Sequence, residues 1–228
     1  MVTLSALLYF LTYHPMWSFP LIILFFCAIG ALVTMWRKSV SWGSSMLLVG
    51  FLAGMFNIFI AHYANALFLN AFGIPGTGII VQGKQTSSTL NDQYVWKYDA
   101  VLQTADGRDI KTQFTTMSAT TYPLRNAILI PPEGETFVTK YIPGFERNIV
   151  IMSDESLYGQ RLRIDEDLQP VLKAEAQLAV SPANSEFLKE YREALRSFIG
   201  KHGEASDSPI VAAYKRKLES LETMKLGQ

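Results

Sequence analysis

Residues 17–36 read WSFPLIILFFCAIGALVTMW, an uncharged run of 20 residues closed at both ends by tryptophan. At ~1.5 Å of rise per residue, a helix of this length spans about 30 Å, the thickness of a bilayer's hydrocarbon core. Pro20 falls in the first turn, where a missing N–H costs little. A second uncharged run, SSMLLVGFLAGMFNIFIAHYANALFL, follows at 44–69, long enough to cross with some tilt. Trp36 and Trp42 bracket the link RKSVSWG, and Trp17 and Tyr63 lie near the opposite ends, as an aromatic belt requires. The two runs predict a transmembrane helical hairpin over 16–72, with spans at about 17–36 and 44–69.

Charge separates this segment from the rest. Residues 1–74 hold no Asp or Glu, and Arg37 and Lys38 are their only Lys or Arg. All 20 acids and the other 18 bases lie beyond, so residues 75–228 are slightly acidic. That balance argues against nucleic acid, which requires a basic patch. The positive-inside rule places the Arg37-Lys38 link in the cytoplasm and both termini outside it. A cleaved signal peptide competes for the N-terminus, but it needs a basic start, and residues 1–13 (MVTLSALLYFLTY) have no Lys or Arg. These residues are too short to span. The expectation for 1–15 is an interfacial segment broken from the first span at Pro15. The single cysteine, Cys27, has no disulfide partner in the chain and reads as a small apolar residue.

The second span carries a polar seam. Gly50, Gly54, Asn57, Ala61 and Asn65 recur at spacings of four, three, four and four, which places them on one helix face. Gly50 and Gly54 form a GxxxG, which permits close helix approach, and the two asparagines can hydrogen-bond across the contact. Cys27, Gly30, Ala31 and Thr34 are the small residues the first span offers opposite. The seam either packs the hairpin on itself or meets another membrane helix, from a partner or a second copy. His62 is the ionisable group of the outer half of this span. An intramembrane ionisable residue is a functional candidate, while its place beside Tyr63 near the span end equally suits an interfacial residue.

After Gly73 the texture changes to short β-favouring runs between turn residues. Strands are predicted at 78–82, 94–104, 109–115, 127–130, 136–142 and 148–152, with Asp106-Gly107 as a tight hairpin turn. This pattern predicts a small antiparallel barrel or sandwich over 75–153. From 154 the chain reads as a helical tail. A short helix is expected over 170–179, interrupted at Ser181-Pro182. Asn184 or Ser185 can cap the next, whose stripe is Phe187, Leu188, Tyr191, Leu195, Phe198 and Ile199, with Gly203 ending it. Ser208-Pro209 opens a last helix striped by Ile210, Val211, Tyr214, Leu218 and Leu221. The fold class is α+β.

Several β-domain residues carry a resemblance. Gly78-Ile79-Ile80-Val81, the Asp106-Gly107 turn, and Gly134, Val138, Tyr141, Pro143 and Ile149-Val150-Ile151 together resemble the bacterial membrane-linked β-domains grouped as domain of unknown function 3592. The likeness covers about a third of the chain and implies architecture without a reaction or ligand. It departs in one respect, since both spans here precede the β-domain, whereas the family often places it between two.

Chemistry is sparse. His202 is the only histidine of residues 75–228 and sits at a predicted helix end. There is no Cys-x-x-Cys, histidine pair, EF-hand, GxGxxG or P-loop, and no cofactor or metal is expected. Asp92, Asp106, Asp109 and Asp154-Glu155 fall in loops and turns. The expectation is a non-enzymatic bacterial inner-membrane protein with two spans. Its periplasmic β-domain and tail would act as a protein-interaction, accessory or regulatory module, through an envelope partner or self-association. An envelope hydrolase using carboxylates and a small-molecule sensor are the alternatives.

Overall fold

The computed structural model describes residues 1–203 and 209–223. It is α+β, with three helices, a six-stranded sheet and three further helices in chain order. Two compact units result, one ending at Gly159 and the next beginning at Gln160.

The first unit opens with α1 (Val2–Tyr13), α2 (Pro15–Arg37) and α3 (Val40–Phe72). Pro15 begins α2 and Pro20 sits inside it, where the first turn has orphan N–H groups in any case. Helices α2 and α3 pack antiparallel, and each is long and apolar enough to cross a membrane. Helix α1 is short and breaks from α2 at His14-Pro15. It runs antiparallel to the second half of α3, with Leu11 beside Asn57 and Ser5 in the Asn65 cluster. At 33 residues α3 is about 50 Å long, well beyond a hydrocarbon core. Besides Gly50 and Gly54, its buried residues lie towards the far end, at Ala61, Asn65, Ala66, Phe68 and Leu69.

The sheet follows after Gly73 alone. Its strands are β1 (Ile74–Leu90), β2 (Gln93–Gln103), β3 (Asp109–Thr115), β4 (Thr121–Tyr122), β5 (Thr136–Ile142) and β6 (Phe145–Met152), in the order β3-β2-β1-β5-β6-β4. The expected barrel or sandwich is corrected to one open sheet, and β4 joins β6 in parallel, so the sheet is mixed. It curls until Thr112 of β3 donates its hydroxyl to the Arg147 carbonyl of β6 at 2.9 Å. A side chain holds that seam where a barrel would need a backbone ladder. The curled face encloses Ile80, Leu102, Phe114, Phe137, Tyr141, Ile149 and Ile151.

Three strand expectations change. β1 starts at Ile74 rather than at Gly78, so Ile74-Pro75-Gly76 is paired strand, Pro75 taking the second position. β1 also continues to Leu90 through the polar KQTSSTL, which lacks a buried face because only β2 flanks it there. Asn91 and Asp92, both at positive φ, form the two-residue turn between them. Residues 127–130 are not a strand: Leu129 and Ile130 pack on the core from an irregular segment.

The second unit holds most of α4 (Leu157–Val180), with α5 (Ser185–His202) and α6 (Pro209–Thr223). The helix expected from Pro170 begins at Leu157 and runs through that proline. Ile164, Leu168, Val171 and Ala174 carry one apolar stripe past it into the core with Tyr191, Leu195, Phe198 and Val211, and burial outweighs the lost N–H. Asn184 caps α5, its Oδ1 accepting from Glu186 N at 2.9 Å, and Gly203 follows its end with ordinary helical dihedrals. The expected cap at Ser208 lies outside the described residues.

Candidate functional site

The seam of α3 is filled from within the chain. A Cβ on Gly50 would lie 2.8 Å from Phe26 Cβ and 3.2 Å from Ile23 Cα, and one on Gly54 would lie 2.8 Å from the Phe19 ring. Gly30 on α2 meets Met46 in the same way, at 2.8 Å. Small residues thus bring the two backbones together at three levels. The outer faces stay open: only 11% of the most apolar stretch of α2 and 17% of that of α3 is buried. The core helix of a water-soluble domain would be mostly covered. Trp17 and Trp36 are 71% and 80% exposed, and their 19-residue separation on α2 is about 29 Å along the axis. At the Trp36 end the Arg37 guanidinium lies 5.5 Å from the ring centres of both Trp36 and Trp42, a cation held by two aromatic faces.

The polar members of the seam join the hairpin to α1 and to the sheet. Asn57 donates to Leu11 O at 3.3 Å and to Ser18 Oγ at 3.0 Å, tying the α1–α2 break to α3. Ala61 is buried one turn on. Asn65 and Asn148 of β6 then form a reciprocal amide pair, each Nδ2 donating to the other's Oδ1 at 2.8 Å. Asn65 also donates to Thr120 Oγ1 at 3.3 Å, and Asn148 to Ser5 O and Oγ, both at 3.1 Å. Asn65, Asn148 and Ser5 are wholly buried. Each amide hydrogen therefore has an acceptor inside the protein, which satisfies groups that would otherwise be costly to bury. Lys140 adds a contact at the end of α3, donating to Asn70 Oδ1 at 2.7 Å. The apolar surround is Ala66, Phe68, Leu69, Ile142, Val150 and Met152. All five seam residues thus meet other parts of the same chain.

Other candidates do not converge. His62 lies against Tyr63 with ring centres 3.9 Å apart and planes tilted by 40°, and makes no hydrogen bond among the described residues. His202 is not an isolated surface residue: its Nε2 lies 2.8 Å from Asp167 Oδ2, and Lys201 donates to Asp167 Oδ1 at 2.5 Å. The Lys201 bond, with help from His202, holds the Asp167 carboxyl below its ordinary range. Asp106 is engaged by Thr104 and Arg108 in its turn. Asp154 pairs with Arg125 at 2.9 Å beside a shallow cleft lined by Tyr122, Pro123, Met152 and Glu155. Asp92 sits in the β1–β2 turn and Asp109 on the edge strand β3. No group of three or more potential metal ligands occurs among the described residues.

Sequence reasoning missed Asn148, Ser5 and Thr120. The one available signal was Asn148 standing before the apolar run Ile149–Met152, a polar side chain with no reason to be buried unless another chain segment meets it. No protein-family model, curated protein or solved structure matches the chain. The likeness to domain of unknown function 3592 stands on the residues quoted above alone.

Proposed function

We propose that this chain is an integral membrane protein whose α2–α3 hairpin crosses the bilayer and holds the β-sheet domain in fixed register on one side. The observation that carries this is the contrast between the two faces of the hairpin. Its inner faces interlock through Gly30, Gly50 and Gly54, and its outer faces are apolar and open. Such a surface is unfavourable in water by ~25 cal/mol per Å² and needs lipid to cover it. Arg37 and Lys38 favour a cytoplasmic link, so the sheet and the tail lie on the extracytoplasmic side, which in a Gram-negative inner membrane is the periplasm. The soluble part acts as a non-enzymatic accessory or interaction module for an envelope partner or a second copy. Supporting this, the buried polar groups of the junction are consumed by one another, which fits a structural link better than a reactive site.

Alkaline carbonate extraction of membranes from cells expressing the chain tests the anchor. The chain is expected in the pellet with integral proteins, and full release into the supernatant would sink the proposal. Crosslinking in native membranes tests the interaction role, and a strictly monomeric, partner-free chain would count against it.

A further inference from the structure

We propose that Arg37 and Lys38, at the tip of the α2–α3 hairpin, bind the phosphate of an anionic lipid headgroup, with the Arg37 guanidinium held in place by the Trp36 and Trp42 rings. This rests on the reading of α2–α3 as a membrane hairpin. Arg37 is the last residue of α2, and Trp42 lies in the first turn of α3. The guanidinium is therefore met by one ring from each helix, at the same distance of 5.5 Å from each centre. Trp36 and Arg37 adjoin in one helix, about 1.5 Å apart in axial rise. The level of the exposed Trp36 ring in the bilayer thus sets the level of the cation beside it. Lys38 follows with left-handed dihedrals (φ 54°, ψ 33°), which turn the chain out of α2.

The rings hold the charge of Arg37 and leave its donors free. A cation over an aromatic face is attracted to the ring's negative π-cloud, and this uses none of the five N–H groups of a guanidinium. Among the described residues the Arg37 and Lys38 side chains make no hydrogen bond and no ion pair, and both are exposed. The hairpin cannot neutralise them, because residues 1–74 contain no Asp or Glu. Lipids packed around the open outer faces of α2 and α3 bring phosphates to the level of the Trp36 ring. The planar fork of Arg37 matches two phosphate oxygens, and Lys38 adds a mobile point charge. A headgroup with net negative charge is favoured over a zwitterionic one, whose own cation competes for the phosphate.

Tryptophan fluorescence tests the site. The full chain carrying Trp17→Phe and Trp96→Phe keeps Trp36 and Trp42 as its only tryptophans. It is reconstituted into vesicles of phosphatidylcholine and phosphatidylglycerol, both lipids in both leaflets, with one or the other brominated on its acyl chains. Brominated phosphatidylglycerol is expected to quench more than brominated phosphatidylcholine at equal mole fraction. Arg37→Gln and Lys38→Gln are each expected to lower this preference about five-fold, the factor set by one basic side chain at an anionic surface. Arg37→Lys is expected to retain part of it. Arg108→Gln, on the sheet and paired with Asp106 and Glu146, is expected to leave it unchanged. Inorganic phosphate, compared with chloride at equal ionic strength, is expected not to reduce the preference, and a reduction would mean a free-phosphate site and overturn the lipid assignment. Equal quenching by the two lipids in the parent chain, or a preference unchanged in both Arg37→Gln and Lys38→Gln, would overturn this site while leaving the hairpin intact. Quenching by neither lipid would sink the hairpin reading and this proposal with it.

Discussion

Gly50 and Gly54 serve one contact but differ in what stands opposite. The space beside Gly50 is bounded by Phe26 Cβ and Ile23 Cα, atoms that cannot move without the α2 backbone. The space beside Gly54 is bounded first by the Phe19 ring, which can rotate. Gly50→Ala is therefore expected to destabilise the hairpin by ~1–3 kcal/mol, the usual range for overpacking, and Gly54→Ala by less. Reversible unfolding in mixed micelles measures both, and the reverse order would contradict the contact as described. At Asn65 the cost is of another kind. Asn65→Leu strands the wholly buried Asn148 amide, a loss of ~1–3 kcal/mol, whereas Asn65→Leu with Asn148→Leu removes both partners and is expected to cost less than the sum of the single changes. Thermal denaturation of the three variants shows it, and strict additivity would mean the amide pair carries no coupling. The seam residues themselves were legible, because polar and small side chains at helical spacing stand out against an apolar span. Their partners were not. Ser5, Thr120 and Asn148 are 60, 55 and 83 positions away from Asn65 in the chain, and no local pattern encodes which distant residue closes such a pair.

At the scale of elements, the helices announced themselves by hydropathy and the short strands by alternation, while the exceptions share a cause. The polar half of β1 and the Pro170 region were misjudged because tertiary partners decide them. The distal β1 needs only β2, and the α4 stripe continues across a proline that propensity alone would place at a helix start. Sheet closure was equally illegible, since it turns on whether β3 and β6 form a ladder or only the Thr112 bond. In the helical unit, Asp167 joins α4 to the end of α5 through Lys201 and His202. A carboxyl whose folded pKa is depressed contributes stability above its unfolded value, and this contribution is lost as pH falls through the folded one. Limited pepsin digestion of the full chain is therefore expected to show α5 becoming cleavable as pH falls below about 4, the ordinary value of a free Asp carboxyl. In Asp167→Asn that acid-dependent step is expected to vanish, with α5 already more cleavable at the upper end. An unchanged profile in the variant would remove Asp167 from the account.

The whole molecule combines an apolar hairpin with a sheet that grows directly out of it. Gly73 alone separates α3 from β1, and the amide pair, the Lys140–Asn70 contact and the Tyr9–Phe145 packing fix the two parts together within one compact unit. Whatever acts on the sheet is thus mechanically linked to the α2–α3 hairpin. The claim on which this depends is that the Arg37-Lys38 link and the sheet stand on opposite faces of a bilayer. In a Cys27→Ser background, Ser39→Cys in the link and Ser87→Cys in the β1 arm each provide one reporter thiol. Intact cells and right-side-out vesicles are labelled with a membrane-impermeant maleimide before and after permeabilisation. The account predicts that the Ser87→Cys thiol reacts from outside at once and the Ser39→Cys thiol only after permeabilisation. Reaction of both thiols from the same side would contradict it.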